Sequence, residues 1–336
     1  MDKSVLLAFS GGMDSRAAAR ELLGAGYRVT ALYLDMLGDR EAYRRAERAA
    51  GETGIGFLCE QVRERFARHI IRYFIDEYMR GRTPAPCTLC NPLIKWHALC
   101  AAADRLGIRR IATGHYFRIV VRQGLHYAAR AADRRKDQSY YLWGLDEKIL
   151  SRALAPMGGL FKSDLEPYAA GERESMGVCF LRGMRCADFL CERRPDIVPG
   201  PILGPDARRI GTHRGAPLYT VGQKRGLGLP PGWAVTAIDT AANTLFAAPA
   251  PPLLYRRLLL GGCRFADRDE VLSSDDLSVV IRGIGRNPAG FARAQEHPSG
   301  VLLTLDDPAW APAAGQPVVL YRGERVIGGG FLEKYF

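Results

Sequence analysis

The sequence predicts an α/β protein in three parts: an N-terminal domain on a parallel sheet, a small central domain and a C-terminal β-barrel. Three observations lead there. Strand-like and helix-like segments alternate from the N-terminus to about residue 113, as in sheets covered by helices on both faces. Helical periodicity fades after about residue 193, where Pro, Gly and short alternating apolar runs take over. Residues 258–336 read as wholly β, as a small closed barrel would. The expected division is 1–192, 193–252 and 253–336.

Residues 5–9 are an apolar run long enough for a buried strand. Glycines follow, and residues 16–23 read as a helix stopped by Gly24 and Gly26. Residues 27–34 make the next strand, 41–50 a charged, Ala-rich helix and 56–59 a weak third strand. Phe66, Ile70, Tyr73, Phe74 and Tyr78 recur at helical spacing and predict a helix over 63–79. A Pro-rich loop, Thr83-Pro84-Ala85-Pro86-Cys87, then leads to a helix over 92–106 that ends at Gly107, and to a strand over 108–113. In the C-terminal part, residues 277–282, 300–305 and 317–321 are the clearest strands. There is no internal repeat, and the Ala- and Pro-rich residues 247–252 are the best linker.

With 336 residues, 47% of them hydrophobic and 25% charged, the chain can bury a core and does not have the composition of a disordered one. Lys and Arg number 47 against 36 acidic residues, a net charge of +11 that favours polyanionic partners through counterion release. The N-terminus runs straight into a strand without a signal-peptide h-region, and no stretch is long and apolar enough to span a bilayer. A cytoplasmic protein with no membrane partner is expected. Eight cysteines in such a chain read as fillers, metal ligands or redox groups rather than a disulfide framework.

Ser10-Gly11-Gly12-Met13-Asp14-Ser15 lies between the first strand and the first helix. Gly11 and Gly12 permit positive φ and close backbone approach. Free N–H groups and the dipole at the helix start make an anion site. Ser10 and Ser15 add hydroxyl donors, and Asp14 can orient the loop or help hold Mg²⁺. A bare Gly-Gly would be an ordinary tight turn, but the whole string in this place is far more specific. No Lys-Ser/Thr follows the glycines, so this is not a P-loop kinase motif. The string resembles the ATP-pyrophosphatase loop of AMP-forming enzymes, which sits on an adenine nucleotide α-hydrolase-like sheet domain. Those enzymes bind the triphosphate of ATP and transfer AMP to a carbonyl oxygen.

Cys87-Thr88-Leu89-Cys90 lies in the Pro-rich loop, with Cys90 near a helix N-terminus that favours the thiolate and Lys95 about one turn further on. Cys179 stands in Gly177-Val178-Cys179-Phe180. Cys59, Cys100, Cys186, Cys191 and Cys263 read as small buried hydrophobes. For the pair, zinc, an iron–sulfur cluster and redox chemistry compete. Structural zinc wants four ligands and only Cys179 is an obvious third, which disfavours closed zinc.

Further ordered motifs carry a resemblance over nearly the whole chain. They are Gly81-Arg82-Thr83-Pro84-Ala85-Pro86-Cys87-Thr88-Leu89-Cys90-Asn91, Ile94-Lys95, Ala112-Thr113-Gly114-His115-Tyr116 and Lys136-Asp137-Gln138-Ser139-Tyr140. Gly177-Val178-Cys179-Phe180, the segment from Tyr219 to Gly228, Ala314-Gly315-Gln316-Pro317 and Gly328-Gly329-Gly330 complete the series. Together with the phosphate loop they resemble the tRNA-specific 2-thiouridylases, which replace the C2 oxygen of the wobble uridine with sulfur. The resemblance implies ATP contacts at Ala8, Phe9, Ser10, Gly11, Gly12, Met13, Asp14 and Ser15, at Leu34 and at Gly114. It implies Cys90 as nucleophile and Cys179 as the persulfide carrier, with a sulfur donor as a further partner. Ala85, Pro86 and Cys87 would lie beside the target base, and His115, Lys136, Asp137, Gln138, Arg282 and Gln316 would contact tRNA. AMP transfer to the uridine oxygen creates the leaving group that sulfur displaces. The target base must be unstacked, as an anticodon loop permits.

The chain departs from the pattern in places. Several members of that family have an acidic residue where this chain has Cys87, so the general acid/base place is vacant and three thiols, Cys87, Cys90 and Cys179, are available. Three thiolates with one open iron would suit a sulfide-binding [4Fe–4S] cluster, and sequence spacing leaves cluster and persulfide both open. Asp35-Met36-Leu37-Gly38-Asp39 replaces a commonly longer segment, Arg16 a small residue, and Ile281-Arg282-Gly283-Ile284-Gly285-Arg286 a more aromatic, basic strand in which Arg282 is kept beside Gly283. A non-catalytic tRNA-binding or sulfur-relay paralogue, and an AMP-forming ligase on the same loop, are the alternatives. Retention of Cys90 and Cys179 weighs against the first, and the Cys-x-x-Cys with the basic barrel against the second.

Overall fold

Val5, Leu6 and Leu7 are fully buried, which makes the first apolar run the centre of a sheet covered on both faces. In the computed structural model of the chain this run is β1 (Ser4–Ala8). The structure describes residues 3–168, 177–249, 251–283 and 286–336. The chain gathers into two units. One comprises Met1–Ile70, Cys87–Met176 and Tyr321–Gly328, the other Ile71–Pro86, Gly177–Leu320 and Gly329–Phe336.

In the first unit, β1 leads to α1 (Met13–Gly24), β2 (Arg28–Asp35), α2 (Arg40–Thr53) and β3 (Gly56–Gln61). With β4 (Arg110–Thr113), β5 (Arg118–Arg122), β6 (Leu125–Ala129) and β7 (Ala153–Leu154) the strands of this unit are complete among the described residues, apart from the ends of two later strands. The sheet order is β3-β2-β1-β4-β7, all parallel, with Ala8 beside Leu32 on one flank and Thr113 on the other. The Asp39 carboxylate caps α2 by accepting from the N–H groups of Glu41 and Ala42 at 3.1 and 3.0 Å. The two helices bring Ala17, Ala18 and Ala19, and Ala46, Ala49 and Ala50, into the core. Small side chains let α2 approach the loop after β1 closely.

The helix expected over 63–79 is realised as α3 (Arg63–Phe66), a π turn (Ala67–Ile71) and α4 (Arg72–Met79). The Pro-rich loop is shorter than expected. Helix α5 (Pro86–Cys90) begins at Pro86, and a π turn (Asn91–Lys95) carries it into α6 (Trp96–Arg105). Proline is suited to a helix start, which explains Pro86. Pro92 lacks the N–H that an α ladder requires, and the wider π turn accommodates it. Cys87 to Cys90 is therefore helical, not loop. The β5–β6 hairpin, which sequence periodicity did not signal, is followed across the sheet by the start of a later strand, through Arg325 opposite Ala129. Helix α7 (Glu147–Leu150) precedes β7.

In the second unit, a 3-10 turn (Cys179–Leu181) and α8 (Cys186–Arg193) lead into a small sheet. Its strands are β8 (Gly200–Leu203), β9 (Arg209–His213), β10 (Trp233–Asp239) and β11 (Thr244–Pro249), in the order β10-β11-β8-β9. Ile202, Tyr219, Val235 and Leu245 form its core. The remaining strands are β12 (Leu254–Phe265), β13 (Leu277–Val280), β14 (Phe291–His297), β15 (Gly300–Trp310), β16 (Pro317–Arg322) and β17 (Arg325–Tyr335). They run in the order β12-β15-β14-β13-β16-β17, and β12 pairs back with β17. Closure leaves these strands no open edge.

Two expectations for this region are corrected. Helix α9 (Arg268–Ser273), capped by the Asp267 carboxylate accepting from Glu270 N–H at 3.0 Å, interrupts the stretch read as wholly β. The strand expected over 277–282 ends at Val280, and Ile284 and Gly285 lie outside the described residues. Of the expected linker, Ala247 to Pro249 belong to β11 and Ala250 lies outside the described residues, as do Met1 and Asp2. No helix among the described residues is long and apolar enough to cross a membrane.

Candidate functional site

The loop after β1 opens at the carboxyl end of a parallel sheet, where α/β proteins place their ligands. Phe9 N–H still donates to Leu32 O at 2.9 Å, so the loop proper begins at Ser10. Gly11 has φ +77°, and Gly12, the N-cap of α1, is extended at φ −77° and ψ 167°. Only Gly11 needs the left-handed region, a correction to the reading that gave both glycines that role. A β-carbon on Gly11 would also stand 2.6 Å from Ala46 Cα. No side chain caps α1, so the N–H groups of its first turn face the loop open, as an anion site requires. Ser15 Oγ donates to Gly12 O at 2.9 Å, and Ser10 Oγ lies 3.4 Å from both Ser15 Oγ and Gly12 N.

Gly114 follows β4 and touches this loop. A β-carbon there would lie 3.0 Å from Asp14 C and from Ser15 N, so a side chain at 114 would press on the helix start. Ala8, Phe9 and the loop from Ser10 to Ser15 are thus brought together with Gly114. Leu34 lies buried on the adjacent strand β2.

Asp14 is joined by two residues that sequence reasoning missed. Its Oδ1 accepts from Lys162 Nζ at 2.5 Å and from Tyr116 Oη at 3.1 Å. Lys162 is only 8% exposed, and its backbone N–H donates to the Asp133 carboxylate at 3.0 Å. A buried ammonium thus neutralises the one carboxylate of the loop and leaves the anion site electropositive. The Asp14 carboxylate is an oxygen group of the type that hard cations prefer.

Cys90 is 4% exposed and Cys87 half-buried. The α5 turn that carries them is clamped by Asn91, itself 1% exposed, whose Nδ2 donates to Cys87 O at 3.0 Å and to Tyr141 O at 3.2 Å. Tyr141 N–H donates to Gln138 O at 3.0 Å. Gln138 Oε1 accepts from Tyr116 N–H at 2.9 Å, and Gln138 N–H donates to Tyr116 O at 2.8 Å. Through Tyr116 the path reaches Asp14. A continuous set of hydrogen bonds therefore joins the helical turn of Cys87 and Cys90 to the loop after β1.

The remaining expected contact residues of this unit are mostly turned inward. Asp137 Oδ1 accepts from Ala131 N–H at 2.9 Å and its Oδ2 from Ser139 Oγ at 2.8 Å, and Lys136 N–H donates to Asp133 O at 3.2 Å. His115 Nδ1 lies 2.8 Å from Thr113 Oγ1. Burial, with the charge of Lys95, pushes the His115 pKa down to about 3, so its ring is neutral at physiological pH. Lys95 thus acts on His115.

In the second unit Cys179 is exposed at the head of its 3-10 turn. The next residue, Phe180, is 7% exposed and packs edge-on to Phe74, with ring centroids 5.1 Å apart, and against Phe189 at 5.3 Å. Ala85 immediately precedes α5, which Pro86 begins. The Asn287 side chain holds the backbone of Arg282, accepting from its N–H at 3.0 Å and donating to its carbonyl at 2.9 Å, and the guanidinium donates to Ala311 O at 2.7 Å. Gln316 is buried, and its Oε1 accepts from Ala313 N–H at 2.9 Å.

No disulfide is formed among the described residues. Cys59, read as a buried filler, is instead exposed on the edge strand β3, which pairs with β2. Among the described residues no three His, Cys, Asp or Glu side chains gather as ligands for a metal ion.

Comparison with known proteins adds to this geometry. Residues 3–183 match the family described as tRNA methyl transferase HUP domain, 187–249 the tRNA methyl transferase PRC-barrel domain, and 276–332 the aminomethyltransferase β-barrel domain. The chain is 38% identical to tRNA-specific 2-thiouridylase MnmA 1 of Bacteroides fragilis, over 98% of this chain and 97% of that protein. It is 38% identical to tRNA-specific 2-thiouridylase MnmA of Chloroflexus aurantiacus and 37% to tRNA-specific 2-thiouridylase MnmA 2 of Phocaeicola vulgatus, over 98% of each chain.

Proposed function

This chain belongs to the tRNA-specific 2-thiouridylase family, and from that premise we propose that it replaces the C2 oxygen of the wobble uridine of tRNA with sulfur, consuming ATP and releasing AMP and pyrophosphate. The observation that carries the reading is the hydrogen-bonded path from Asp14 through Tyr116, Gln138 and Asn91 to the helix of Cys90. Nucleotide activation and sulfur chemistry need fixed mutual geometry, and this path supplies it.

The uridine C2 carbonyl resists attack because oxide is a poor leaving group. Transfer of AMP to that oxygen provides a good one. The open N–H groups of α1, Ser10, Ser15 and Lys162 stabilise the charge that collects on the departing pyrophosphate. Mg²⁺, with Asp14 as a ligand, would further neutralise the triphosphate. The sulfur donor passes its sulfane sulfur to the Cys179 thiolate and leaves as a thiol. The terminal sulfur of the Cys179 persulfide attacks C2, a C–S bond forms, and AMP departs with the C2–O bond electrons. The Cys90 thiolate then attacks Cys179 Sγ, the S–S bond to the nucleoside breaks, and 2-thiouridine is released. A Cys90–Cys179 disulfide remains, which an external dithiol reduces. A sulfide-binding [4Fe–4S] cluster on Cys87, Cys90 and Cys179 is the alternative sulfur source.

The tRNA would be met by Ala85, Pro86 and Cys87 at the base, and by His115, Lys136, Asp137, Gln138, Arg282 and Gln316. His115, being neutral, would take part as a hydrogen-bonding group rather than a charge. In this reading residues 1–192 are catalytic, 193–252 link, and 253–336 hold tRNA. The test is release of AMP and pyrophosphate with and without tRNA, alongside mass spectrometry of tRNA nucleosides. tRNA should stimulate AMP release in step with 2-thiouridine formation. AMP release indifferent to tRNA would sink the proposal.

A further inference from the structure

Beyond the residues already considered, two cations in the second unit converge on one indole. Lys224 Nζ lies 5.5 Å, and Arg282 Cζ 5.6 Å, from the centre of the Trp310 ring. They come from chain segments far apart in sequence, and each is held in place. The loop bearing Lys224 is fixed by Gly222 N–H donating to Val235 O at 2.8 Å and Val235 N–H donating to Gln223 O at 3.0 Å. Thr220 N–H donates to Gln223 Oε1 at 3.2 Å, and Gln223 Nε2 to Arg225 O at 2.9 Å. Gly222 has φ +84°, and a β-carbon there would stand 2.6 Å from Ala311 Cβ and 3.4 Å from Trp310 Cη2. The loop can press on the end of β15 only because residue 222 has no side chain. On the other side, Asn287 and Ala311 O pin Arg282.

An indole face attracts one cation well. Bringing a second to the same ring adds repulsion between like charges, which a bound anion would relieve. Lys224 is exposed and Trp310 and Arg282 are half-buried, so the cluster is open to a ligand. The geometry points to an RNA phosphate-binding site here, in which Trp310 holds Lys224 and Arg282 as a paired cationic clamp on the phosphodiester backbone. This rests on the proposal that the chain acts on tRNA. The clamp would add Lys224 as a backbone contact and Trp310 as the residue that positions both cations. Phosphate contacts of this kind fix register without reading sequence.

The test is fluorescence anisotropy of labelled tRNA with the full-length chain across a salt series. Lys224→Gln should weaken binding by about three- to ten-fold and make the slope of log K against log salt shallower by about one. Trp310→Leu should weaken binding at least as much, whereas Trp310→Phe, which keeps an aromatic face, should restore most of it. Arg208→Gln, a surface change at a residue paired with Asp206 at 3.5 Å, should bind as the unaltered chain does. Lys224→Gln is a surface substitution and should leave the melting temperature unchanged. Wild-type affinity and slope in both Lys224→Gln and Trp310→Leu would overturn the clamp. Absence of tRNA binding by the unaltered chain would instead overturn the proposed function, and the clamp with it.

Discussion

Cys90 and Cys179 are offered to the reaction in opposite ways. Cys90 is buried, on a helical turn clamped by Asn91 and tied through Tyr116 to the phosphate loop. Cys179 is exposed on a single 3-10 turn, held by one buried neighbour, Phe180. The difference suits the roles proposed for them. A thiol that receives sulfur from another protein must be reachable from outside. A thiol that acts only on bound, activated substrate gains from exclusion of water and fixed position.

The sharpest way to break that contrast is to probe both thiols. Cys90→Ser and Cys179→Ser should each lower thiolation by about 10³-fold or more while ATP and tRNA still bind, since each removes a bond-forming atom. In the unaltered protein, timed alkylation with mass spectrometry should label Cys179 well before Cys90. Equal rates would remove the distinction between an outward and an inward thiol.

Next in size is the frame around the phosphate loop. Lys162→Met deletes the buried cation beside Asp14, leaving its carboxylate with the Tyr116 hydroxyl but no counter-charge. It should reduce thiolation by about 10²- to 10³-fold, the scale found for removing one preorganised electrostatic group. Steady-state kinetics with ATP as the varied substrate check this, and a change below about threefold would show that the ammonium contributes little. Asn91→Ala should act more gently. It removes the buried amide that donates to the carbonyls of Cys87 and Tyr141, which costs about 1–3 kcal/mol of stability by denaturant titration. It should also speed Cys90 alkylation. Lost stability with unchanged Cys90 reactivity would make Asn91 a folding residue alone.

These residues also mark what could be read from the sequence. The parallel sheet and the loop from Ser10 to Ser15 were evident because both are local: an apolar run, two glycines and a helix start lie within one short segment. Lys162 was not, because it reaches Asp14 from 148 positions away and a single Lys in sequence reads as solvated surface. Tyr116 was quoted within a motif, but its hydroxyl contact with Asp14 spans 102 positions. The helical state of Cys87 and Cys90 was obscured by prolines on both sides. Pro86 could have signalled a helix start, whereas the π turn that accommodates Pro92 leaves no local pattern. Asn287, which pins Arg282 despite the neighbouring Gly283, is an ordinary turn residue in sequence. The closed barrel was legible as a run of short strands, but α9 within it was too short for periodicity to reveal.

A smaller effect is expected at Gly114. In Gly114→Ala the new β-carbon meets Asp14 and Ser15 backbone at 3.0 Å, a contact relieved only by moving the start of α1. The KM for ATP should rise by about tenfold or less, roughly 1 kcal/mol of binding, with kcat for bound substrate less affected. A fall in kcat at unchanged KM would place Gly114 in the chemical step instead.

The smallest effect concerns protons at His115. Its folded pKa is about 3, well below the ordinary value near 6.5, because burial and Lys95 disfavour the imidazolium. The folded state keeps the ring neutral, while the unfolded chain takes up a proton below about pH 6.5. Stability from this group is therefore complete above that pH and is lost as pH falls from about 6.5 towards 3. His115→Gln should flatten part of that decline, so the difference in unfolding free energy between pH 7 and pH 5 should shrink. An unchanged difference in His115→Gln would mean that the ring is protonated in the folded protein at pH 5. His115 would then be a charged tRNA contact at that pH, and the hydrogen-bonding role proposed for it would fail.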